Sequence, residues 1–424
     1  MGRMIQMKIL WLTMMTQVLS LSQSEKDIKT SGGWVTATAK NLEEYDEIEK
    51  LIIVSVNRDT KEEKKVIDGK KVVYFIRANQ IAMGRDKVLE EKLSKIIAEE
   101  NPDLIDVQGV EFSFGKSVIN VNPPCPVAVT LQGMTGGIAD IYLKGIPFKE
   151  LIFGRSKSDN KRLSGMIERK VMMKIRASKS DEIIKKAKYC IGRTHYDKAE
   201  ALRINPQIKY YSCNRILRND FYSVEWNIEN ANPHKLFGIR SETPAKGLHY
   251  AIKVIAKLKE KYPDVLLEVP GGFRIGEDDN HIASYPKYIK KLLEEYDVKE
   301  NVVFLPSLNP AEISDHMLSS RAFWQYSVME NSPNSLAEAQ VMGVPTVASD
   351  VGGTSSYSED GVSGLLYKLE NTDECAEKIS RIFEDDELCL ALSVKGKETA
   401  TARHDVKKNT DTLVSVYRDI IYGA

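Results

Sequence analysis

Two glutamates eight residues apart, Glu330 and Glu338, enclose the segment Asn331-Ser-Pro-Asn-Ser-Leu-Ala337. Pro333 stands just outside a helix that Asn334 or Ser335 can cap, and Leu336 to Met342 continue it with helix formers up to Gly343. The first turn of such a helix offers backbone N–H groups that have no intrahelical acceptor. Together with the macrodipole they suit a phosphate or diphosphate lying over Asn334, Ser335 and Leu336. Glu338 falls about one turn inside, where its two oxygens can hold adjacent hydroxyls of a ribose, and Glu330 stays in the loop on the far side of the phosphates. Such a layout fits a nucleotide sugar. Two glutamates alone read more readily as the solvated edge of a helix, and their surroundings decide between the two readings.

Those surroundings carry chemistry of the same kind. Arg240 ends a strand-like run and Lys246-Gly247 follows one loop later; such a pair can clamp two phosphate oxygens and offset the charge of a leaving group. Ordinary helix-start polarity is the plainer account. Val344-Pro-Thr-Val-Ala-Ser-Asp350 is a short apolar strand ended by Gly352-Gly353, and Asp360-Gly-Val-Ser-Gly-Leu-Leu366 supplies a turn and a second strand.

Taken together, Glu330…Glu338, Gly343-Val-Pro345, Ser349-Asp-Val-Gly-Gly353 and Asp360-Gly…Gly-Leu-Leu366 closely resemble the donor-site signature of family 4, the retaining, nucleotide-sugar-dependent glycosyltransferases of GT-B fold, also called glycosyl transferases group 1. The resemblance is strong from Arg240 to Leu366. It implies two Rossmann-like doubly wound parallel-sheet domains facing a central cleft, and transfer of a sugar from a nucleoside diphosphate sugar to an acceptor hydroxyl with retained configuration. By resemblance Glu330 contacts the transferred sugar near the reacting centre, and Glu338 holds the ribose. Arg240 and Lys246 hold the diphosphate, Ser307 and Leu308 lie where the family holds the base, and Gly33 makes room for the phosphates. The spacing from Arg240 to Lys246 is one residue longer than the family's pattern. No D-x-D motif stands in a suitable strand-end loop, so metal independence is expected, with a UDP-sugar favoured as substrate and no cofactor.

These groups need a scaffold. At 424 residues the chain exceeds one ordinary core, and the expected division is 1–228 for an acceptor-binding domain, joined by a C-terminal helix over 412–424, and 229–411 for the nucleotide-sugar-binding domain. Lys8 to Thr13 reads as the first strand, with Met7 as an alternative start. A secretory signal is the competing account, weakened by Thr13, Thr16 and Gln17 and by the want of a small-x-small cleavage site. Leu51–Val56, Lys71–Ile76 and Leu104–Gln108 follow as strands, with a helix over Lys87–Glu100, so the period changes from 2 to 3.6 and back as in a doubly wound sheet. Gly109-Val-Glu-Phe-Ser-Phe-Gly115-Lys-Ser117 imitates a P-loop but has one residue too many between its glycines. Equal numbers of Lys+Arg and Asp+Glu, 60 each, argue against a nucleic-acid partner. Five cysteines without C-x-x-C spacing read as reduced thiols of a cytoplasmic protein.

Gln132-Gly-Met-Thr-Gly-Gly137 closes the strand run Pro126–Leu131, at the end of the sheet where ligands bind. Many family members carry a histidine at position 132. Here the first histidine is His195, and Gln132 donates or accepts a hydrogen bond but is no general base. Gln132 and Gly133, with Arg193 and Thr194 after the strand Tyr189–Gly192, are therefore placed on the acceptor or sugar side; for Arg193 and Thr194 a structural role is the plainer reading. Residues 151–188 hold twelve Lys or Arg against four acids, and Ile167, Val171 and Ile175 form an apolar stripe at helical spacing. The plain account is a solvated helix packed by that stripe. The other is peripheral contact with anionic lipid at the inner membrane face, as in relatives that act on lipid-linked sugar acceptors. The expected function is synthesis of cell-surface polysaccharide or glycolipid. The alternatives are a non-catalytic sugar-nucleotide-binding partner and a sugar-nucleotide epimerase or hydrolase on the same fold.

Overall fold

The computed structural model describes residues 6–14, 33–78, 85–162, 164–275 and 282–423. It forms two compact units, Met1–Gly136 with Ile175–Leu217 and His404–Ala424, and Gly137–Lys174 with Arg218–Arg403. Besides a boundary at 217/218, this differs from a division at 228/229 and 411/412 in that 137–174 cluster with the second unit and the returning segment starts at His404. The bonds of 137–174 explain the first difference. Glu150 Oε1 meets Lys291 Nζ at 2.5 Å, the Ser284 N–H donates to Asp159 at 2.7 Å, and His249 Nε2 donates to the Lys144 carbonyl at 2.9 Å. The second follows from His404, whose Nδ1 donates to the Arg215 carbonyl at 2.8 Å.

Unit 1 is built on β1 (Met7–Thr13), β2 (Ile48–Val56), β3 (Lys64–Asp68), β4 (Lys71–Ile76), β5 (Leu104–Gln108), β6 (Val127–Thr130), β7 (Tyr189–Gly192) and β8 (Lys209–Ser212). Their order is β3-β4-β2-β1-β5-β6-β7-β8, parallel except for the β3–β4 pair. β3 is the strand the sequence reading passes over: it is short and mostly polar, and its signal is the Asp68-Gly69 turn, with Gly69 at φ +60°. The continuous apolar run of β1 follows from burial on both faces. Leu10 and Leu12 enter one core cluster, Ile9 and Trp11 the other.

The helix Val406–Tyr422 covers the second face with Leu413, Val414, Tyr417 and Ile420. Trp11 Nε1 donates to the Tyr417 hydroxyl at 2.8 Å, and that hydroxyl donates to Asp106 Oδ2 at 2.7 Å. Thr130 and Gln108 also donate to Asp106, at 2.6 and 2.7 Å. Burial pushes the Asp106 carboxyl up to about 6 against these bonds.

Unit 2 carries β9 (Asn232–Phe237), β10 (Leu266–Val269), β11 (Val302–Phe304), β12 (Ser320–Gln325), β13 (Thr346–Ser349) and β14 (Leu365–Tyr367). Every pair is parallel and the order is β11-β10-β9-β12-β13-β14. The order reverses between β9 and β12, and ligands of such sheets bind outside the carboxyl ends at that point. In the helix Met166–Lys186 the stripe expected to pack does not: Val171 is exposed, and Ile167 and Ile175 are only half-buried. Burial falls instead on Met166, Ala177, Ser180, Ile183 and Ile184, mostly in the second half of the helix.

Tyr417→Phe strands the buried Trp11 N–H and removes one donor from Asp106, so unfolding monitored by tryptophan fluorescence is expected to show a loss of about 2–3 kcal/mol. An unchanged transition would mean that the bonds to Tyr417 are replaced by water.

Candidate functional site

The reversal point of unit 2 brings Glu330 and Lys246 together. Glu330 follows β12, and its Oε1 lies 2.6 Å from Lys246 Nζ and accepts from Ser327 Oγ at 2.7 Å. Lys246 ends a tight turn, Pro244–Lys246, after β9. Gly247 then takes φ +74°, and a Cβ there would stand 2.0 Å from the Tyr326 carbonyl oxygen. The turn is drawn against the end of β12 by the Val328 N–H, which donates to the Ala245 carbonyl at 2.9 Å. Gly352 does the same on the other side: at φ +54° its missing Cβ leaves room for the Glu330 carbonyl, which would otherwise be 2.1 Å away.

Asn334, Ser335 and Leu336 open the helix Asn334–Val341 as the spacing predicts, but the cap differs. Pro333 occupies the N-cap position and no side chain caps the turn. The prolyl ring fixes φ without supplying an acceptor, so the Ser335 and Leu336 N–H groups have no side-chain cap competing for them. Ser335 is exposed and Leu336 buried.

Glu338 lies one turn inside, buried, and both of its oxygens are taken by one guanidinium: Arg218 Nε and Nη2 donate at 3.0 and 2.9 Å. Arg218 also stacks 4.5 Å from the Phe221 ring centroid. Burial pushes the Glu338 carboxyl up and Arg218 acts against that shift. Arg218 has no local signature, since it stands 120 positions before its partner. Ser327, three residues before Glu330, was likewise not foreseen.

Arg240 is not joined to Lys246. Its guanidinium holds Glu242 at 3.0 and 2.7 Å and is largely exposed, while its stem packs on Gly271 at φ +113°. The loops after β10 and β11 are zipped by the Gly272 N–H to the Leu305 carbonyl, 2.8 Å, and the Gly271 N–H to Pro306, 3.1 Å. That pairing sets the exposed Ser307 beside Gly272, and Leu308, which follows it, is buried. A cavity of about 300 Å³ opens here, lined by Glu242, Gly272, Phe273, Arg274 and Tyr285.

In unit 1, Gly33 is the first residue of the helix Gly33–Glu43. Gln132 Nε2 donates to the Gln108 carbonyl at 2.9 Å, and Gly133 has open space where a Cβ would stand. Thr194 is a helix cap: its Oγ1 accepts from the Asp197 N–H at 3.0 Å, and Asp197 accepts from the Thr194 and Arg193 N–H groups. Arg193 is buried and acts with Arg215 on Glu111, whose carboxyl burial pushes up to about 7. Glu111 sits in the P-loop mimic, over Gly109 at φ +111°, and was not singled out. Among the described residues no group of three or more His, Cys, Asp or Glu is arranged to hold a metal ion, and no helix is long and apolar enough to cross a membrane.

Two sheets, the first parallel but for its β3–β4 edge pair and the second parallel throughout, with an acid–lysine pair and a helix start at the second sheet's reversal point, have the GT-B fold. Residues 227–399, about two fifths of the chain, match the family model of the glycosyl transferases group 1. It is 27% identical over 175 residues to the D-inositol 3-phosphate glycosyltransferase of Corynebacterium urealyticum (41% of this chain, 40% of that protein), and 26% identical over 177 residues to the trehalose synthase of Pyrococcus horikoshii (42% of each). The matches thus span about two fifths of these relatives' length. In fold the chain is similar to the sucrose-phosphate synthase of Thermosynechococcus elongatus, with TM-score 0.70 and 15% identity over 98% of this chain and 100% of that one. It is also similar to Anabaena HepE in complex with UDP-glucose, with TM-score 0.64 and 17% identity over 97% and 99%.

Arg218→Met leaves Glu338 buried without its cation and is expected to cost unit 2 about 3 kcal/mol, part of which Glu338→Gln in the same chain returns. The check is a double-mutant cycle by chemical denaturation; a coupling below about 0.5 kcal/mol would show that solvent screens the pair.

Proposed function

We propose that this protein is a retaining, metal-independent glycosyltransferase of family 4, moving a sugar from a nucleoside diphosphate sugar, by preference a UDP-sugar, to an acceptor hydroxyl in cell-surface polysaccharide or glycolipid synthesis. The observation that carries this reading is the 2.6 Å contact between Lys246 and Glu330 at the reversal point, one loop before the start of the helix Asn334–Val341. As the bond to the departing diphosphate lengthens, negative charge gathers on its oxygens. Lys246 and the backbone N–H groups of that helix start are fixed donors for this charge, and donors set in place before reaction cost no reorganisation. Glu330, held by Lys246 and Ser327, faces the sugar. Glu338 accepts one bond from Arg218 on each oxygen and keeps a further lone pair on each for ribose hydroxyls.

A uridine nucleotide is favoured because the Anabaena HepE structures of similar fold are complexes with UDP and UDP-glucose. Ser307, Leu308 and the adjoining cavity then take the base. Gln132, Gly133, Arg193 and Thr194 stay with the acceptor side and Gly33 with the diphosphate. The acceptor is a sugar or a lipid-linked sugar, and the protein works in the cytoplasm, peripherally on the inner membrane face.

The test is nucleotide release from a panel of UDP-, GDP- and ADP-sugars, in EDTA, with and without a lipid extract as acceptor source. Wild type is expected to release UDP in an acceptor-dependent way, and Glu330→Gln and Lys246→Met to lower kcat by about 10²–10³. Binding without release under any condition would leave a sugar-nucleotide-binding partner. Release abolished by EDTA would overturn the metal-free step alone.

A further inference from the structure

The short helix Phe148–Phe153 turns its large apolar side chains outward. Phe148 is 76% exposed, Phe153 83% and Ile152 41%, and no other phenylalanine among the described residues is exposed to this degree. The helix is pinned on its buried residue: Glu150 is buried and bonded to Lys291 of the helix Ser284–Glu295, while Phe148, Ile152 and Phe153 stay exposed. Two residues beyond Phe153, Arg155 pairs with Glu168 at 2.5 Å, in the first turn of Met166–Lys186. Val171 and Met172 lie three and four residues after Glu168, on the same helix face, and are 51% and 37% exposed. Five large apolar side chains between 148 and 172 therefore face solvent, more than isolated surface residues account for.

Charge says what covers them. From 148 to 174 there are eight Lys or Arg and three acids. Each acid is engaged within unit 2: Glu150 by Lys291, Asp159 by the Ser284 N–H, Glu168 by Arg155. Lys149, Lys157, Lys170 and Lys174 have no acidic partner among the described residues. A second protein surface would need acids set among apolar groups, whereas an anionic bilayer offers both an acyl layer and a sheet of phosphates.

We propose that residues 148–174 are a membrane-docking surface, in which Phe148, Ile152 and Phe153 enter the acyl boundary of an anionic bilayer while Lys149, Lys157 and the lysines of the following helix lie against lipid phosphates. This deepens the membrane location given under the proposed function, and rests on that reading for the acceptor it would serve. The occupant is a lipid surface and not free phosphate, because the exposed groups are chiefly apolar.

The experiment is co-sedimentation of the full chain with phosphatidylcholine vesicles, with and without phosphatidylglycerol, at low and high salt. Wild type is expected to bind the anionic vesicles and to be released by salt. Phe148→Ser with Phe153→Ser, and separately Lys149→Glu with Lys157→Glu, are expected to weaken that binding by about tenfold or more. Turnover of nucleotide sugar with a soluble acceptor stays unchanged in both variants. Inorganic phosphate that displaces the protein as effectively as the same ionic strength of chloride fits a lipid surface; specific displacement by phosphate at low ionic strength would overturn it. Equal binding to neutral vesicles, or full binding by the double serine variant, overturns the proposal. Self-association of the wild type that the serine changes abolish would make a second copy the occupant and overturn it too. Absence of vesicle binding with turnover intact sinks the surface alone, and vesicle binding without any turnover sinks the transferase reading alone.

Discussion

The close approach of three backbone segments at the end of β12 is the constraint on which the candidate site depends. Gly247 lies against the carbonyl of Tyr326, Gly352 against the carbonyl of Glu330, and Val328 bonds to Ala245 across the gap. A side chain at either glycine would collide with backbone, which cannot yield as a flexible side chain does. Because the turn after β9 is pressed onto β12 in this way, Lys246 reaches Glu330 with a 2.6 Å contact although 84 residues separate them. The parallel sheet supplies the direction, since both loops leave the carboxyl ends of neighbouring strands. Acid, lysine and helix start are thus consequences of one sheet order and two positions without a Cβ.

What could be read from the sequence divides along the range of the interactions. Local signals gave their elements closely: the helix Lys87–Glu100 and the strand Leu104–Gln108 have the bounds that periodicity predicts. The Asn334 helix was legible for the same reason, since Pro, Asn, Ser and a run of helix formers are contiguous. Its cap was misread because Pro333 can fill the N-cap position as a backbone feature, and propensity alone assigns that place to Asn or Ser. β3 escaped because an edge strand needs no apolar run. Of the residue types singled out for the candidate site, Glu330 and Lys246 lie in contact, a pairing the spacing does not announce. Arg218, Ser327 and Glu242 were not found, because a pairing partner set by tertiary folding leaves no spacing to recognise.

The stripe of Ile167, Val171 and Ile175 teaches the opposite lesson. Helical periodicity says which residues share a face, and they do; it does not say that the face is covered. The burial of that helix lies with Met166 and with its second half from Ala177 onward, and Val171 is left to solvent. An apolar stripe is evidence of packing only where another element has surface to meet it, and here the neighbouring short helix also points its phenylalanines away.

The donor-side cations of unit 2 are each paired, and the pairs differ in what they cost to open. Arg240 holds Glu242 with both side chains about half exposed, a kind of pair worth roughly 0–1 kcal/mol. Lys246 and Glu330 are more enclosed, with Glu330 at 16% side-chain exposure. Glu338 is buried and held bidentately by the half-buried Arg218, a pair in which removing one partner costs about 3–5 kcal/mol. On the proposed function, an incoming diphosphate meets no field of unpaired positive charge and exchanges with carboxylates already in place. The exchange is cheapest at Arg240, which can leave Glu242 for a phosphate oxygen at little loss, and it is prohibitive at Arg218. The extra residue between Arg240 and Lys246 fits this ordering, because a longer loop suits a cation that swings in, whereas Lys246 is fixed by the glycine beside it. On the proposed function, Arg218 positions Glu338, Lys246 shares its charge between Glu330 and the diphosphate, and Arg240 is the cation whose pair opens at least cost.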